Sequence, residues 1–138
     1  AIGVETARMG LTETKLGLIP APIGPEGIAR MGEAAARRVF MSARKFSAQE
    51  AQSLGLLAKT VAHDTLDQAV MAEVIPYLSC APGAVAAAKK LARALGPVID
   101  AQTIEMSVTA LIEQWESPEA EEGIAAFFGK TAPSWQVQ

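Results

Sequence analysis

The spacing of apolar and polar residues changes near His63, close to the middle of the chain. Before it, short apolar runs predict strands over residues 8–11 and 56–61, and helical spacing predicts a helix over residues 33–41. A short helical turn is expected over residues 27–31. After His63 the pattern is helical throughout, so the sequence predicts a mixed first part followed by a helical second part.

Capping signals predict the ends of a short helix in the first part. Ser47 and Glu50 have the spacing of a capping box, in which the serine caps a free N–H and the glutamate reaches back to the cap. Gly55 follows, and a glycine there can take the left-handed conformation that ends a helix. We therefore expect a helix between Ser47 and Gly55.

Four helices are predicted in the second part, each opened by a capping residue or by a proline in its first turn. The predicted helix starts are Asp64 or Thr65, Pro82, Asp100 and Ser117. Pro76 must bend the first of these helices or end it early, because proline lacks the N–H that a helix needs. The third helix is expected to reach about Trp115, and Gly129 is expected to end the last one.

Composition and charge narrow the classes of function. The 138 residues are 50% hydrophobic, which is enough for a globular core, and the formal net charge of −3 without a basic stripe predicts no nucleic-acid partner. Glu73 and Pro76 interrupt the most apolar region, so no membrane span is predicted. A single cysteine, Cys80, cannot form an internal disulfide and suits a cytoplasmic location. The chain begins at Ala1 and lacks an initiator methionine, so we expect it to start inside a longer protein.

Residues 12–27 carry the leading candidate for chemistry. This stretch, T-E-T-K-L-G-L-I-P-A-P-I-G-P-E-G, holds Glu13, an apolar run and a loop of prolines and glycines. Proline fixes φ and glycine permits close backbone approach, so the loop presents peptide groups and the acid Glu13 in a set geometry. Leu16, Leu18 and Ile19 would partly desolvate the acid, which favours general acid/base chemistry. From composition alone, a surface or capping glutamate is the commoner case.

The remaining candidates have ordinary structural interpretations. His63 is expected to be solvated or to cap a helix, and Cys80 to be a small residue at a helix end. With one histidine and one cysteine far apart, zinc binding and Cys–His catalysis have little support, and no metal is predicted. Phe127 and Phe128 with Lys130 could clamp an aromatic ligand and its phosphates, although aromatics that pack between helices are more common.

Several segments, taken in order, resemble the enoyl-CoA hydratase/isomerase (crotonase) superfamily. They include E-T-K-L-G-L-I-P-A-P-I-G-P, F-S-A-Q-E-A-Q-S-L-G-L-L and S-P-E-A-E-E-G-I-A-A-F-F-G-K, and the resemblance covers essentially the whole chain. The L-I-P-A-P-I-G-P variant looks closest to the methylglutaconyl-CoA hydratase-like branch, which acts in leucine breakdown. Because family members are much longer, the resemblance implies the C-terminal portion of an α/β crotonase-like fold, predominantly helical with a few short strands.

The resemblance implies catalytic roles for two positions. Glu13 matches the second catalytic glutamate, which in hydratases shares the catalytic water and exchanges a proton with the substrate α-carbon. Ala21 falls where many members have a glycine whose backbone N–H holds that water, and an alanine keeps the N–H. The first catalytic glutamate and the oxyanion-hole donors are expected upstream of Ala1.

The resemblance also implies an acyl-CoA thioester substrate, with coenzyme A as part of the substrate and no separate cofactor. The predicted substrate-binding residues are Leu16, Gly17, Phe127 and Lys130. Of these, Phe127 and Lys130 match positions near the adenine and phosphates of coenzyme A, which a neighbouring subunit usually contributes.

A two-part organisation and a homo-oligomer follow from the same resemblance. Residues 1–63 are expected to end the crotonase core and to carry the Glu13 loop, and residues 64–138 to form a helical trimerisation region. The expected assembly is a homotrimer or a dimer of trimers. Its candidate apolar contacts are Ile112, Trp115, Ile124 and Phe127.

We therefore predict an enoyl-CoA hydratase that adds water across the double bond of an α,β-unsaturated, branched acyl-CoA. An enoyl-CoA isomerase is the alternative within the enzyme class, because it too can retain an acid at Glu13. For the chain by itself the alternative is a non-catalytic module for assembly or coenzyme A binding, since rate enhancement should largely vanish without an oxyanion hole.

Overall fold

The computed structural model describes residues 1–136, which fold mainly into helices. The α-helices are α1 (Gly24–Met31), α2 (Glu33–Phe40), α3 (Ala48–Ser53), α4 (Leu66–Val74), α5 (Pro82–Leu95), α6 (Ala101–Trp115) and α7 (Pro118–Gly129). Short 3-10 helices cover Glu13–Leu16, His63–Thr65 and Ile75–Ser79. The strands are β1 (Ile2–Val4), β2 (Arg8–Met9), β3 (Phe46–Ser47) and β4 (Lys59–Val61). The predicted combination of many helices and few short strands is confirmed.

The four strands form two separate pairs. β1 runs parallel to β4, with Ile2 opposite Lys59, and β2 runs antiparallel to β3, with Met9 opposite Phe46. The strand predicted over residues 8–11 is therefore shorter than expected. β1 was not predicted, because a strand of three residues is too short to show the alternation of apolar and polar residues.

The strand predicted over residues 56–61 begins only at Lys59. The preceding residues belong to the end of α3, because the backbone N–H groups of Leu56 and Leu57 both donate to the carbonyl of Ala51. Leu57 is buried at the helix end, where it is 7% exposed, and Leu56 is partly buried. Their apolar side chains therefore pack at the end of the helix and do not extend the strand.

The described residues form two compact units. The first contains Ala1–Met9, Ala29–Met31 and Phe46–Val98. The second contains Gly10–Ile28, Gly32–Lys45 and the described residues from Ile99 onward. The division at residue 63 into a core end and a trimerisation region remains a prediction.

In the first unit, α3 has the ends that the sequence predicts. The Ser47 hydroxyl oxygen accepts a hydrogen bond from the Glu50 N–H at 3.2 Å, and Gly55 follows the helix with φ +78°. The helix buries Ala48 and Ala51, and the adjoining Phe46 is also buried. Helix and capping signals here are local, which is why the sequence alone identified them.

The start of α4 differs from the prediction. Neither Asp64 nor Thr65 caps the helix through its side chain; a 3-10 helix precedes it, and the Thr65 N–H donates to the Ala62 carbonyl at 3.1 Å. Pro76 does end the α-helical geometry early, since α4 stops at Val74 and continues as a 3-10 helix. α5 begins at Pro82, as predicted.

In the second unit, α1 begins at Gly24, three residues before the predicted turn. Pro25 lies in its first turn, where its missing N–H has no helical partner to lose. α2 follows the predicted span closely and buries Ala36 and Val39. The predicted caps of α6 and α7 are confirmed: Asp100 accepts from the Thr103 N–H at 2.8 Å, and Ser117 accepts from the Ala120 N–H at 3.1 Å.

The buried core consists mostly of alanines, and large apolar side chains remain exposed. Val39 is the largest side chain that is fully buried among the described residues, whereas Leu95 is 80% exposed and Leu78 is 76% exposed. Within residues 1–136 no single helix has both the length and the apolarity to cross a membrane. One pair of consecutive helical segments, His63–Ser79 and Pro82–Leu95, is together long and apolar enough, but the two segments are bent by 110° relative to each other.

Candidate active site

Glu13 opens the 3-10 helix Glu13–Leu16, which we call the Glu13 turn. The turn ends at Gly17, whose φ of +69° is in the left-handed region that glycine adopts without strain. The Glu13 carbonyl accepts a hydrogen bond from the Leu18 N–H at 3.1 Å. The Thr14 hydroxyl donates to the Phe40 carbonyl at 3.1 Å, which ties the turn to the end of α2. Backbone and side-chain bonds together therefore hold Glu13 in place.

The Glu13 carboxylate has one oxygen without a partner. Its Oε2 atom is buried and forms no hydrogen bond within residues 1–136. Buried polar atoms that lack a partner are few in native proteins, and a catalytic role is one of the explanations for them. This oxygen therefore has unused hydrogen-bonding capacity, which general acid/base chemistry requires.

Helix α7 packs directly on the Glu13 turn through two glycines. Gly17 lies against the backbone of Glu119 and Ala120, and Gly123 lies against the backbone of Leu16. A Cβ atom added to Gly123 would lie 2.5 Å from the Leu16 carbonyl carbon, so neither glycine has room for a side chain. The close approach of the two backbones sets the position of the turn relative to α7.

Gln114 adds a polar connection to the same region. Its Nε2 atom donates to the Gly17 carbonyl at 2.7 Å and to the Ser117 hydroxyl oxygen at 3.3 Å. One side chain thus joins the end of α6, the cap of α7 and the end of the Glu13 turn.

A cavity of about 340 Å³ lies between the Glu13 turn and α7. Lys15 and Leu16 line it from the turn, and Gly123, Ala126 and Phe127 line it from α7. The segment 131–136, which follows α7, supplies the remaining wall. The structure therefore brings together two of the predicted substrate-binding residues, Leu16 and Phe127, beside the turn that carries Glu13.

The other predicted site residues lie outside the lining of this cavity. Gly17 is buried under α7, and Lys130 is exposed at the end of α7 with φ +53°. Ala21 is 7% exposed, and its N–H donates to the Ile19 carbonyl at 2.9 Å. A water bound at Ala21 would share that donor. The roles of Ala21 in water binding and of Lys130 near coenzyme A remain predictions.

His63 and Cys80 occupy the ordinary positions that the sequence predicts. His63 is exposed at the first position of a 3-10 helix, and Cys80 is exposed just after another one. The Cys80 thiol donates to the Pro76 carbonyl at 3.5 Å. Among residues 1–136 no group of three or more His, Cys, Asp or Glu side chains is placed to hold a metal ion.

Sequence reasoning missed the residues that complete this region. Gln114 was not singled out, although a glutamine three residues before a helix-capping serine is a usable signal. Glu122 and Ser134, which bind each other, and Trp135, which lines the cavity, were also missed. Their roles depend on how the chain folds back after α7, and no local sequence pattern predicts this fold-back.

The fold and the acid-bearing turn define a protein of the crotonase class. The sequence matches the enoyl-CoA hydratase/isomerase family over residues 1–138, and the chain belongs to this family. The predicted superfamily and the predicted crotonase-like fold are both confirmed. An enoyl-CoA hydratase/isomerase from Pseudoalteromonas atlantica T6c superposes with a TM-score of 0.82 at 28% identity, over 98% of this chain and 55% of that one.

Two relatives show how far the similarity in sequence extends. The mitochondrial methylglutaconyl-CoA hydratase of Rattus norvegicus is 28% identical over 141 residues, which cover 98% of this chain and 44% of that protein. The carnitinyl-CoA dehydratase of Salmonella typhi is 27% identical over 140 residues, which cover 96% of this chain and 52% of that protein. The chain spans about half the length of the relatives it matches.

Proposed function

We propose that this chain is part of an enoyl-CoA hydratase and that Glu13 is one of its two catalytic acids. The observation that carries the proposal is the Glu13 carboxylate, with a buried oxygen that no other described group binds, on a turn held by backbone packing. Membership of the enoyl-CoA hydratase/isomerase family supplies the class of reaction.

The proposed mechanism adds water to an α,β-unsaturated thioester. Water attacks Cβ while a first glutamate takes its proton, and the resulting enolate is stabilised by two N–H donors at the thioester oxygen. Glu13, in its neutral acid form, then gives its proton to Cα and is left as a carboxylate, and the proton that the first glutamate took from the water restores the number of protons on the two acids. We propose that the first glutamate and the two N–H donors lie outside residues 1–138, so that this chain supplies one acid of a two-acid site. The reaction as written needs no metal and no cofactor beyond the coenzyme A of the substrate.

The proposed substrate is a branched enoyl-CoA of the methylglutaconyl type, and the proposed assembly is a homotrimer or a dimer of trimers. The first proposal draws on the L-I-P-A-P-I-G-P segment and on the similarity to a methylglutaconyl-CoA hydratase. The second draws on apolar side chains that the described chain leaves uncovered: Ile112, Trp115 and Phe127 are each more than half exposed. Phe127 and Lys130 are proposed to contact coenzyme A across the subunit interface.

The proposed role of Glu13 predicts a large loss of turnover in Glu13→Gln. For the test, this chain is joined to the part of the Pseudoalteromonas atlantica protein that it does not cover. Hydration of crotonyl-CoA and of methylglutaconyl-CoA is then measured as a decrease in the absorbance of the conjugated thioester. We expect kcat to fall by about 10²–10⁴-fold with KM little changed, because glutamine cannot transfer the proton. Glu26→Gln, on the exposed first turn of α1, is the matched control and should retain full activity.

Two outcomes would contradict the proposal. Near-normal kcat in Glu13→Gln would exclude the proton-transfer role, and activity of the 138-residue chain by itself would show that no outside acid or oxyanion donor is needed. Analysis of the product separates the alternatives within the family: a 3-hydroxyacyl-CoA identifies a hydratase, and a shifted double bond identifies an isomerase.

A further inference from the structure

A single peptide group connects the side chain of Gln114 to the backbone of Glu13. This is the group between Gly17 and Leu18, at the end of the Glu13 turn. Its carbonyl oxygen accepts a hydrogen bond from Gln114 Nε2 at 2.7 Å, and its N–H donates to the Glu13 carbonyl at 3.1 Å. Because the atoms of a peptide group lie close to one plane, a bond that fixes the carbonyl oxygen also fixes the direction of the N–H. The side chain of Gln114 therefore sets the orientation of the peptide group that holds Glu13.

The carbonyl of Gly17 depends on this donor because the residue is buried. Gly17 lies against the backbone of Glu119 and Ala120, where α7 covers the turn. A buried carbonyl oxygen that loses its donor is not compensated by water, so the turn must shift or bear the cost. A carbonyl oxygen can only accept, so the nitrogen of the Gln114 amide faces it. The same nitrogen donates to the Ser117 hydroxyl oxygen at 3.3 Å, and the two bonds fix the orientation of the amide.

Gln114 acts on the turn and leaves the carboxylate of Glu13 available. It lies near the end of α6, 97 positions from Gly17 along the chain. Its bonds go to the Gly17 carbonyl and the Ser117 hydroxyl, whereas the Oε2 atom of Glu13 has no hydrogen-bond partner within residues 1–136. The backbone that carries the acid is therefore held, while the acid itself keeps its hydrogen-bonding capacity for other groups.

We propose that Gln114 is a positioning residue for proton transfer by Glu13. Its bond to the Gly17 carbonyl holds the Glu13 backbone, and with it the carboxylate, at the distance and angle that proton transfer to and from the substrate α-carbon requires. The inference rests on the proposed function, because it assigns Gln114 a role in the reaction of Glu13. A displacement of about 1 Å at a reacting group lowers a rate by about 10²-fold, so a loosened turn slows proton transfer while substrate binding changes little.

Two substitutions remove the donor at Gln114 and keep the length of its side chain. They are made in the fused enzyme, in which this chain is joined to the uncovered part of the Pseudoalteromonas atlantica protein. Gln114→Glu places an ionised carboxylate there, which only accepts, and Gln114→Met places an apolar group there. We expect both to lower kcat for crotonyl-CoA by about 10²-fold with KM little changed. Gln102→Met, on an exposed position of the same helix, is the matched control and should keep full activity.

A deuterium isotope effect separates positioning from a loss of stability. Dehydration of 3-hydroxybutyryl-CoA is compared with dehydration of the same thioester deuterated at Cα. In this direction the Glu13 carboxylate takes the proton or deuteron from Cα, and the hydroxyl group leaves as water with a proton from the first glutamate. We expect a larger isotope effect on kcat in Gln114→Met than in the unaltered enzyme, because the transfer then limits turnover more strongly.

The isotope effect is a ratio of two rates of one preparation, so it does not depend on the fraction of enzyme that is folded. Asp100→Ala provides the control for stability, because it removes the cap of α6, the helix that carries Gln114. This variant should have a lower Tm and an unchanged isotope effect.

Near-normal kcat in both Gln114 variants, or a lower kcat with an unchanged isotope effect, would overturn the positioning role. Hydrogen exchange of the peptide segment that contains Leu18, measured by mass spectrometry on the fused enzyme, checks the geometry without the reaction. The exchange should be faster in Gln114→Met than in Gln102→Met, and equal exchange in the two would overturn the link from Gln114 to Glu13.

Glu13→Gln in the same fused enzyme distinguishes a failure of this inference from a failure of the proposed function. If Glu13→Gln keeps near-normal turnover, the proposed function of Glu13 fails. If Glu13→Gln loses turnover while both Gln114 variants keep it, the hydratase proposal stands and only the positioning role of Gln114 is overturned.

Discussion

At the scale of single residues, Gly123 and Gln114 decide where Glu13 lies. Gly123 lets the backbone of α7 touch the backbone of Leu16, and Gln114 donates to the carbonyl of Gly17 at 2.7 Å. Glu13 itself was singled out from the sequence as the candidate acid, because an acid next to an apolar run and a rigid loop is a visible pattern. The two residues that position it were not identified, because their partners lie far away along the chain.

The close contact of Gly123 predicts a destabilised Gly123→Ala variant. Alanine favours a helix interior by about 1 kcal/mol over glycine, so a helix without contacts would gain stability. Here the added Cβ would meet the Leu16 backbone at 2.5 Å, and overpacking of this kind costs about 1–3 kcal/mol. We expect a lower free energy of unfolding in urea. Gly83→Ala, in α5 with open space around it, is the matched control and should be neutral or stabilising.

A Gly123→Ala variant as stable as Gly83→Ala would show that α7 does not pack tightly on the Glu13 turn. The backbone amide signals of Leu16 and Gly17 in an NMR spectrum give an independent check. They should shift in Gly123→Ala and stay in place in Gly83→Ala, because only the first substitution forces the two backbones apart.

At the scale of elements, the predictions succeed where a helix end depends on residues three positions apart. Ser47, Asp100 and Ser117 each accept from the N–H three residues ahead, and each was predicted from its residue type and spacing. The prediction fails for α4, where the 3-10 helix His63–Thr65 takes the place of a side-chain cap. Strands of two or three residues are beyond this kind of reasoning, since pairing with a distant strand creates them.

The cap of α6 predicts a stability contribution that acid removes. The backbone N–H of Thr103, and then its hydroxyl, hold the pKa of the Asp100 carboxyl below its ordinary value. A lowered pKa in the folded state means that the contribution is present above the pKa of the unfolded chain and is lost as the pH falls through the folded-state pKa. Below that range the neutral carboxyl group is a poorer acceptor for the N–H groups of the first turn.

Asp100→Asn tests this pH dependence, because asparagine caps a helix without titrating. The difference in melting temperature between the unaltered chain and Asp100→Asn should shrink or reverse as the pH falls from neutral into the acid range. The titration of the Asp100 carboxyl carbon by NMR locates the midpoint. A difference that stays constant with pH would contradict the ionised cap.

At the scale of the whole molecule, the described chain leaves much apolar surface uncovered. The buried side chains are mostly alanines, while Leu78, Leu95 and Phe128 are each more than three-quarters exposed. Exposed apolar area on this scale is typical of an interaction surface.

The uncovered apolar surface predicts that the 138-residue chain self-associates. Light scattering coupled to size-exclusion chromatography should give a mass above that of one chain, 14.4 kDa, and the mass should rise with concentration. Leu95→Glu together with Leu78→Glu should lower the association, whereas Glu73→Gln, on the same exposed stretch, should not. A monodisperse monomer across the concentration range would contradict the prediction.

The sequence by itself determined the family and the approximate positions of most α-helices, and it singled out Glu13 as the candidate acid, because these depend on local spacing and on residue types in order along the chain. The tertiary structure alone decided how the site is built. It brings Gly123 against Leu16, Gln114 to the Gly17 carbonyl and Ser134 to the Glu122 carboxylate, and the residues of each pair are separated along the chain. Such contacts form only when the helices pack, so they cannot be predicted from the periodicity of the sequence.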